Sequence, residues 1–291
     1  MDSGPVRAVQ PEPGGLIAFL RRHSLIIGLA LMYLFTWTVY LSAAGILPVR
    51  LPRFVHPFAN SGFALASILM TWVTFGPRAV LDLLKRFLLW RLGWKWYASL
   101  LIIPATYLLG IAVHALVTGT APDFSLTTAR SALGPSGSAL LYVAPVFLAD
   151  VLGNGEEIGW RGYALPRLQS RYSALYSGLV IGLIWALWHL AIYVRAFNPV
   201  AFSWYIVGVI AKSVLITWAY NGSKGSLLLA TLYHATWNTS GIFLPISAKL
   251  SRADIGTYAY VILSEVAVAA LITVLAGHRH LSRTHTRQMQ Q

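Results

Sequence analysis

The sequence predicts an all-α, polytopic membrane protein built as a helical bundle with about eight transmembrane helices. Of its 291 residues, 57% are hydrophobic and only 11% are charged, and the mean hydropathy is +0.64. The apolar residues are gathered in runs of about 20, the length at which a helix crosses the hydrocarbon layer of a bilayer. These observations exclude a cytosolic globular enzyme, a disordered chain and a fibrous protein.

Eight stretches are long and apolar enough to be predicted as spans. They cover residues 25–47, 58–76, 96–117, 138–160, 173–195, 200–220, 224–244 and 256–276. No long polar segment separates them, so residues 1–291 are predicted to form one membrane domain, with flexible termini at about 1–15 and 278–291. The first run follows Arg21 and Arg22 as in a signal peptide, but it is longer than a signal-peptide core and is predicted to stay as a helix.

The segment between the second and third spans has a different pattern. Its leucines recur at helical spacing, at Leu81, Leu84, Leu88 and Leu92. Charged residues such as Asp82 fall on the other faces of such a helix. The pattern predicts an amphipathic helix lying in the membrane interface over residues 79–96, with a plain basic loop as the alternative.

The chain is strongly basic, with 22 Lys and Arg against 9 Asp and Glu and a net charge of +13. Most of these bases lie beside apolar runs, so we expect anionic lipid head groups as partners and no nucleic acid. With eight spans both termini lie on one side, and the opposite side would carry only Arg50, Arg53, Arg130, Arg195, Lys249 and Arg252. The positive-inside rule then places both termini in the cytoplasm.

Ionisable groups within apolar stretches are costly and often functional, and the first such cluster is Glu156, Glu157 and Arg161. Glu157 and Arg161 are four residues apart on a helix and can form an ion pair. Glu156 is left without a local countercharge and could act as a general base. The alternative is a surface ion pair at a cytoplasmic helix end.

Two further polar groups lie in later apolar stretches. His189 is isolated in its helix, where it could be catalytic or simply a hydrogen-bonded packing residue. His234 and Asn238 share one helix face and could donate to one oxygen, as in an oxyanion hole, or could hold two helices together. The three clusters can converge only if their helices surround one polar cavity.

Together these motifs resemble the CPBP family, which groups the type II CAAX prenyl endopeptidases with bacteriocin-processing and immunity proteins. The resemblance covers about residues 139–242 and rests on Glu-Glu-x-x-x-Arg, aromatic-x-x-x-His and His-x-x-x-Asn in that order. The run from Glu156 to Gly162, followed by Leu165 to Leu168, is most similar to bacterial members and implies a bacterial cell membrane. One departure is Trp185, where the family usually carries Phe.

The resemblance implies an intramembrane endopeptidase that cleaves a peptide or protein substrate near the membrane, in some members a lipidated one. Glu156 would activate a water that His189 helps to hold. His234 and Asn238 would stabilise the oxyanion, and Glu157 with Arg161 would fix the helix and the local field. The family is described both as metalloprotease and as metal-free glutamate protease. Glu156, His189 and His234 could supply ligands that suit zinc, while the HExxH motif is absent.

The predicted spans leave one geometric difficulty. A helix that ends at Pro166 and a next helix that begins near Ser173 place Glu157 and His189 about 11 Å apart in depth, at 1.5 Å per residue. A shorter turn or a broken helix would close this gap. The catalytic interpretation therefore predicts that these helix ends lie elsewhere.

Other features admit competing interpretations. The run Gly-Pro-Ser-Gly resembles the GxSG motif of rhomboid serine proteases, but Ser136 or Ser138 is predicted to cap the next helix. Lys212 and Glu265 could pair across helices or line a substrate path. The alternatives to a protease are a non-catalytic immunity or scaffold protein, and an ion-coupled transporter with Glu156, His189 and Lys212 as a proton relay. A transporter is disfavoured because no internal repeat is visible.

Overall fold

A computed structural model describes residues 15–122, 124, 139–246 and 256–282 of the chain. Within these ranges the chain forms helices and no strands. Large apolar side chains stay exposed on the outside, for example Leu116, Leu152 and Val274. A soluble domain rarely exposes so much apolar surface, and a lipid environment accounts for it. The predicted all-α membrane bundle is confirmed.

The described residues of the first half of the chain contain six α-helices. They are α1 (Leu16–Arg22), α2 (Ser24–Ala43), α3 (Ser61–Phe75), α4 (Pro77–Lys85), α5 (Trp94–Ala98) and α6 (Ile102–Thr118). A short 3-10 turn joins α5 to α6, and the two form one apolar helix over Trp94–Thr118.

The second half carries the predicted motifs. Its helices are α7 (Val143–Gly153), a π-helical segment (Ile158–Ala164) that runs into α8 (Leu165–Gln169), α9 (Ala174–Trp188), α10 (Leu190–Tyr193), α11 (Pro199–Gly222), α12 (Leu227–Phe243) and α13 (Gly256–Ala276).

Five helices of the described ranges are long and apolar enough to cross a membrane by themselves: Ser24–Ala43, Trp94–Thr118, Ala174–Tyr193, Pro199–Gly222 and Gly256–Ala276. They correspond to the first, third, fifth, sixth and eighth predicted spans. The second and seventh predicted spans are the shorter helices α3 and α12. The total of eight stays a prediction.

The fourth predicted span, 138–160, is wrong as one continuous helix. Its helical part ends at Gly153, and a new helix starts at Glu156. The side chain of Asn154 accepts a 2.9 Å hydrogen bond from the backbone N–H of Glu156 and so starts this helix. A Cβ on Gly155 would lie 2.9 Å from the Cβ of Ala64, so the break also needs a residue without a side chain.

Pro166 does not end the helix of the two glutamates, contrary to the prediction. The helix continues to Gln169, because the wider π-helical turns of Ile158–Ala164 come before the proline, and Pro166 lies in the first turn of α8. Measured along the helix axes from the turn that joins α8 to α9, Glu157 then lies about 18 Å away and His189 about 22 Å away. The two residues therefore lie at similar depth.

The predicted interfacial helix over 79–96 is only partly correct. α4 ends at Lys85, a 3-10 turn follows, and the chain leaves helical geometry before α5 begins at Trp94. Leu81 and Leu88 of the predicted apolar stripe are largely exposed, as expected for a face that lies in the membrane interface, whereas Leu83 is buried against the bundle. The leucine spacing alone could not show which face meets the bundle.

The helices that carry the motifs form the centre of the bundle. α9 packs on α11, α11 on α12 and α13, and α12 on α6 and α7. α3 packs on the π-helical segment, where the rings of Phe63 and Trp160 lie 4.7 Å apart. Residues just after α13, predicted to be part of a flexible tail, accept backbone hydrogen bonds at the start of α9 from Ala174 and Leu175. Residues 134–138, with both candidate capping serines, and most of both termini lie outside the described residues.

Candidate active site

A cavity of about 610 Å³ lies among the motif helices. Four of the predicted site residues line it: Glu156, His189, His234 and Asn238. Its other polar and aromatic lining residues are Asn60, Tyr107, Trp185, Trp188, Tyr193, Tyr205, Lys212, Trp237 and Tyr258. The convergence predicted from the sequence is therefore present in the structure.

Glu156 is 3% exposed and is held by two neutral donors. The indole Nε1 of Trp185 donates to Oε2 at 2.8 Å, and the amide of Asn60 donates to Oε1 at 3.3 Å. Asn60 is itself positioned by Tyr40, whose hydroxyl donates to the amide oxygen at 2.8 Å. These contacts fix both oxygens at the cavity wall and balance no charge, so Glu156 keeps the character of an uncompensated carboxylate.

Glu157 points to a different partner, as expected for adjacent residues of a helix. Its Oε1 lies 2.9 Å from Nδ1 of His234. Its Oε2 lies 3.4 Å from Nε of Arg161, which confirms the predicted ion pair. Glu157 and Arg161 are fully buried and stand behind the cavity.

Arg161 ties the helix of the glutamates to two others. One of its terminal nitrogens, Nη2, donates to the backbone oxygen of Ser213 at 3.2 Å and to the hydroxyl of Ser213 at 3.1 Å. That hydroxyl in turn donates to the backbone oxygen of Gly178 at 2.7 Å. The buried ion pair therefore joins the π-helical segment, α11 and α9 in one polar network.

His189 lies at the point where α9 ends and α10 begins. Its Nδ1 is 2.8 Å from the backbone oxygen of Trp185. Because a carbonyl only accepts, Nδ1 carries the proton, and the neutral ring presents Nε2 as an acceptor. The sequence showed an isolated histidine, and the structure gives it a defined tautomer beside the cavity.

His234 and Asn238 lie one turn apart on α12, as predicted. Since the carboxylate of Glu157 only accepts, Nδ1 of His234 carries a proton, and Nε2 can donate only when the ring is protonated. The amide nitrogen of Asn238 donates to Asp150 at 3.0 Å and keeps a second N–H. Asp150 therefore positions this amide.

Sequence reasoning missed Asn60 and understated Trp185. Asn60 lies in the turn before α3, far from every motif, and no pattern pointed to it. Trp185 was visible as a departure from the family, and its indole N–H was the available signal. Both became recognisable only when the fold placed them on the carboxylate of Glu156.

A metal site needs several His, Asp or Glu side chains that point to one position. Among the described residues, no three His, Asp or Glu side chains are grouped so that they could hold a metal ion. Nδ1 of both cavity histidines and both oxygens of Glu156 already have partners. That the site binds zinc stays a prediction.

The comparisons with known proteins concern the same part of the chain. Residues 135–240 match the family model described as type II CAAX prenyl endopeptidase, Rce1-like. The chain is also similar to CAAX prenyl protease 2 of Methanococcus maripaludis, at 28% identity over 165 residues. That alignment covers 54% of this chain and 59% of the relative, so it spans less than two thirds of that protein. The stretch that is similar to this family model contains the four motif residues that line the cavity, from Glu156 to Asn238, so the similarity and the candidate site concern the same part of the chain.

Proposed function

We propose that the protein is an intramembrane endopeptidase that hydrolyses a peptide bond near the membrane surface. The observation that carries this proposal is the convergence of Glu156, His189, His234 and Asn238 on one cavity. Peptide hydrolysis needs a nucleophilic water, a proton acceptor and donors for a developing oxyanion. These four side chains can supply all three functions around one cavity.

Glu156 is proposed as the general base. It takes a proton from a water, the water oxygen forms a bond to the scissile carbonyl carbon, and the carbonyl electron pair moves to its oxygen. Trp185 and Asn60 hold the carboxylate in place during this transfer. When the C–N bond breaks, the same proton passes from Glu156 to the departing nitrogen, so protons balance over the cycle.

His189 is proposed to position the attacking water. Its Nδ1–H is engaged by the Trp185 carbonyl, so Nε2 accepts a hydrogen bond from the water. Glu156 and His189 line the same cavity and can hold one water between them. This role orients the nucleophile without a second proton transfer.

His234 and Asn238 are proposed to stabilise the oxyanion. A protonated His234 donates from Nε2 and gains a charge-assisted hydrogen bond to the oxyanion, while Glu157 stabilises the imidazolium from the other side. The second N–H of the Asn238 amide supplies another donor. Removal of one such donor typically lowers the rate by about 10²–10³-fold.

The test uses the purified full chain in a defined bilayer with a fluorogenic membrane peptide. We expect Glu156→Ala, His189→Ala and His234→Ala each to lose cleavage while the protein stays folded. Asp82→Ala is the control, because Asp82 is exposed and pairs with Lys85 on the surface of α4. Elemental analysis of the same preparation tests metal dependence.

Two other functions make different predictions in the same experiment. A scaffold or immunity protein keeps its cellular function in all three variants. A transporter would move ions through the bilayer, and this reading has one observation in its favour, since Glu156, His189 and Lys212 line one cavity. Ion flux that is lost in these variants, without peptide cleavage by the wild type, would contradict the protease proposal.

A further inference from the structure

The proposed reaction leaves one charged residue of the cavity without a role. Lys212 lies on α11 and lines the cavity together with Glu156 and His189. Its side chain is 15% exposed, so the ammonium group is mostly removed from bulk solvent. A buried cation is costly unless it is paired or meets an anionic ligand.

The pairing of Lys212 within the protein is loose. Its Nζ lies 4.0 Å from Oε1 of Glu265, at the limit of an ion pair. That oxygen already accepts a 2.5 Å hydrogen bond from the indole of Trp237. Nζ also lies over the ring of Trp237, 5.4 Å from its centroid. An ammonium group has three donors, so donor capacity is left over.

The two charges of this pair face different surroundings. Glu265 is fully buried and does not line the cavity, whereas Lys212 does. A ligand in the cavity can therefore contact Lys212, whereas Glu265 lies behind the cavity wall. Tyr205 and Tyr258 line the same space and offer hydroxyl groups beside it. His189 lines the same cavity as Lys212.

We propose that Lys212 forms an anion-binding subsite that receives a carboxylate of the bound peptide. This rests on the proposed function, because it assumes that the ligand is a peptide. A peptide can supply a carboxylate from its C-terminal end or from an Asp or Glu side chain, and both would form the same charge-assisted hydrogen bond. The bound carboxylate would hold the peptide in the cavity that His189 also lines.

Binding of fluorescent membrane peptides to the full chain in nanodiscs tests this subsite. Three peptides share one apolar sequence: one has a free C-terminal carboxylate, one is amidated, and one is amidated with a single Asp. We expect at least one carboxylate peptide to bind about tenfold or more tightly than the neutral amide. The tighter of the two identifies whether the chain end or a side chain is received.

The variants are chosen so that loss of binding can be distinguished from loss of the fold. Lys212→Met alone leaves Glu265 buried without its cation, so the informative variant is Lys212→Met with Glu265→Gln. It is expected to bind all three peptides alike, whereas Glu265→Gln alone keeps the cation and the preference. The proposal is overturned if the wild type binds the three peptides within about twofold of one another, or if the double variant keeps the preference.

The same experiment distinguishes failure of the proposed protease function from failure of the Lys212 subsite. Wild-type protein that binds the peptides without cleaving any of them contradicts the proposed function, while the carboxylate preference still decides the role of Lys212. Wild-type protein that binds no peptide contradicts both.

Discussion

Trp185 shows how one side chain adapts a shared motif. The family resemblance implies a Phe at this position, and Phe can pack but cannot donate a hydrogen bond. The indole N–H of Trp185 lies 2.8 Å from the carboxylate of Glu156, and its ring lies 5.1 Å from that of His234. The side chain therefore touches both the proposed base and the proposed oxyanion donor, and it orients the base before a substrate is bound.

We predict that Trp185→Phe lowers kcat by about tenfold and leaves KM nearly unchanged, because the lost hydrogen bond orients Glu156 and does not touch the substrate. Steady-state kinetics with the fluorogenic peptide measure both constants. Trp188→Phe is the matched control, since the indole nitrogen of Trp188 has no hydrogen-bond partner among the described residues. Equal effects of the two substitutions would contradict a positioning role.

Arg161 also illustrates what a single residue contributes. We predict that Arg161→Ala destabilises the protein by about 3–5 kcal/mol, because it removes both the buried ion pair with Glu157 and the hydrogen bonds to Ser213. Denaturation in detergent micelles measures this change in the free energy of unfolding. The exposed Arg171→Ala should change it by less than about 0.5 kcal/mol. A similar small change for Arg161→Ala would show that the buried network is not needed for stability.

At the scale of elements, the site depends on an interruption that the hydropathy pattern hides. The apolar run over 138–160 predicts one helix, but Asn154 and Gly155 end it and a second helix begins at Glu156. Capping by Asn154 and close contact of Gly155 with Ala64 are tertiary features. The motifs and their convergence were predictable from residue types and spacing, whereas this break and the continuation through Pro166 were not.

The contact between α3 and the π-helical segment sets the position of the glutamates. We predict that Gly159→Ala lowers both stability, by about 1–3 kcal/mol, and peptidase activity, because the added Cβ would lie 2.9 Å from Cδ1 of Phe63. Thermal denaturation and initial rates check this. Gly93→Ala is the control, since no atom lies within 4 Å of its added Cβ. A fully active Gly159→Ala protein would argue against tight control by this contact.

At the scale of the whole molecule, helices distant in sequence enclose one cavity in a protein whose outer surface is apolar. The order and depth of most spans were predictable, because length and hydropathy reflect the thickness of the bilayer. The orientation in the membrane is predicted from the distribution of basic residues between the two sides.

We predict that both termini face the cytoplasm, because most bases outside the spans lie on their side. This is measured by fusing to each terminus a reporter that is active only in the cytoplasm. Fusions at residue 51, after the first span, provide the opposite control. Activity of only one terminal fusion would mean an odd number of spans.

The central claim is that Glu156 activates water for peptide hydrolysis inside this cavity. The initial rate of cleavage by purified Glu156→Gln protein in a bilayer tests it most directly, because the amide keeps the shape of the side chain and cannot accept the proton. The account predicts a rate at least about a hundredfold below that of the wild type, with the fold unchanged. A rate within a few-fold of the wild type would contradict it.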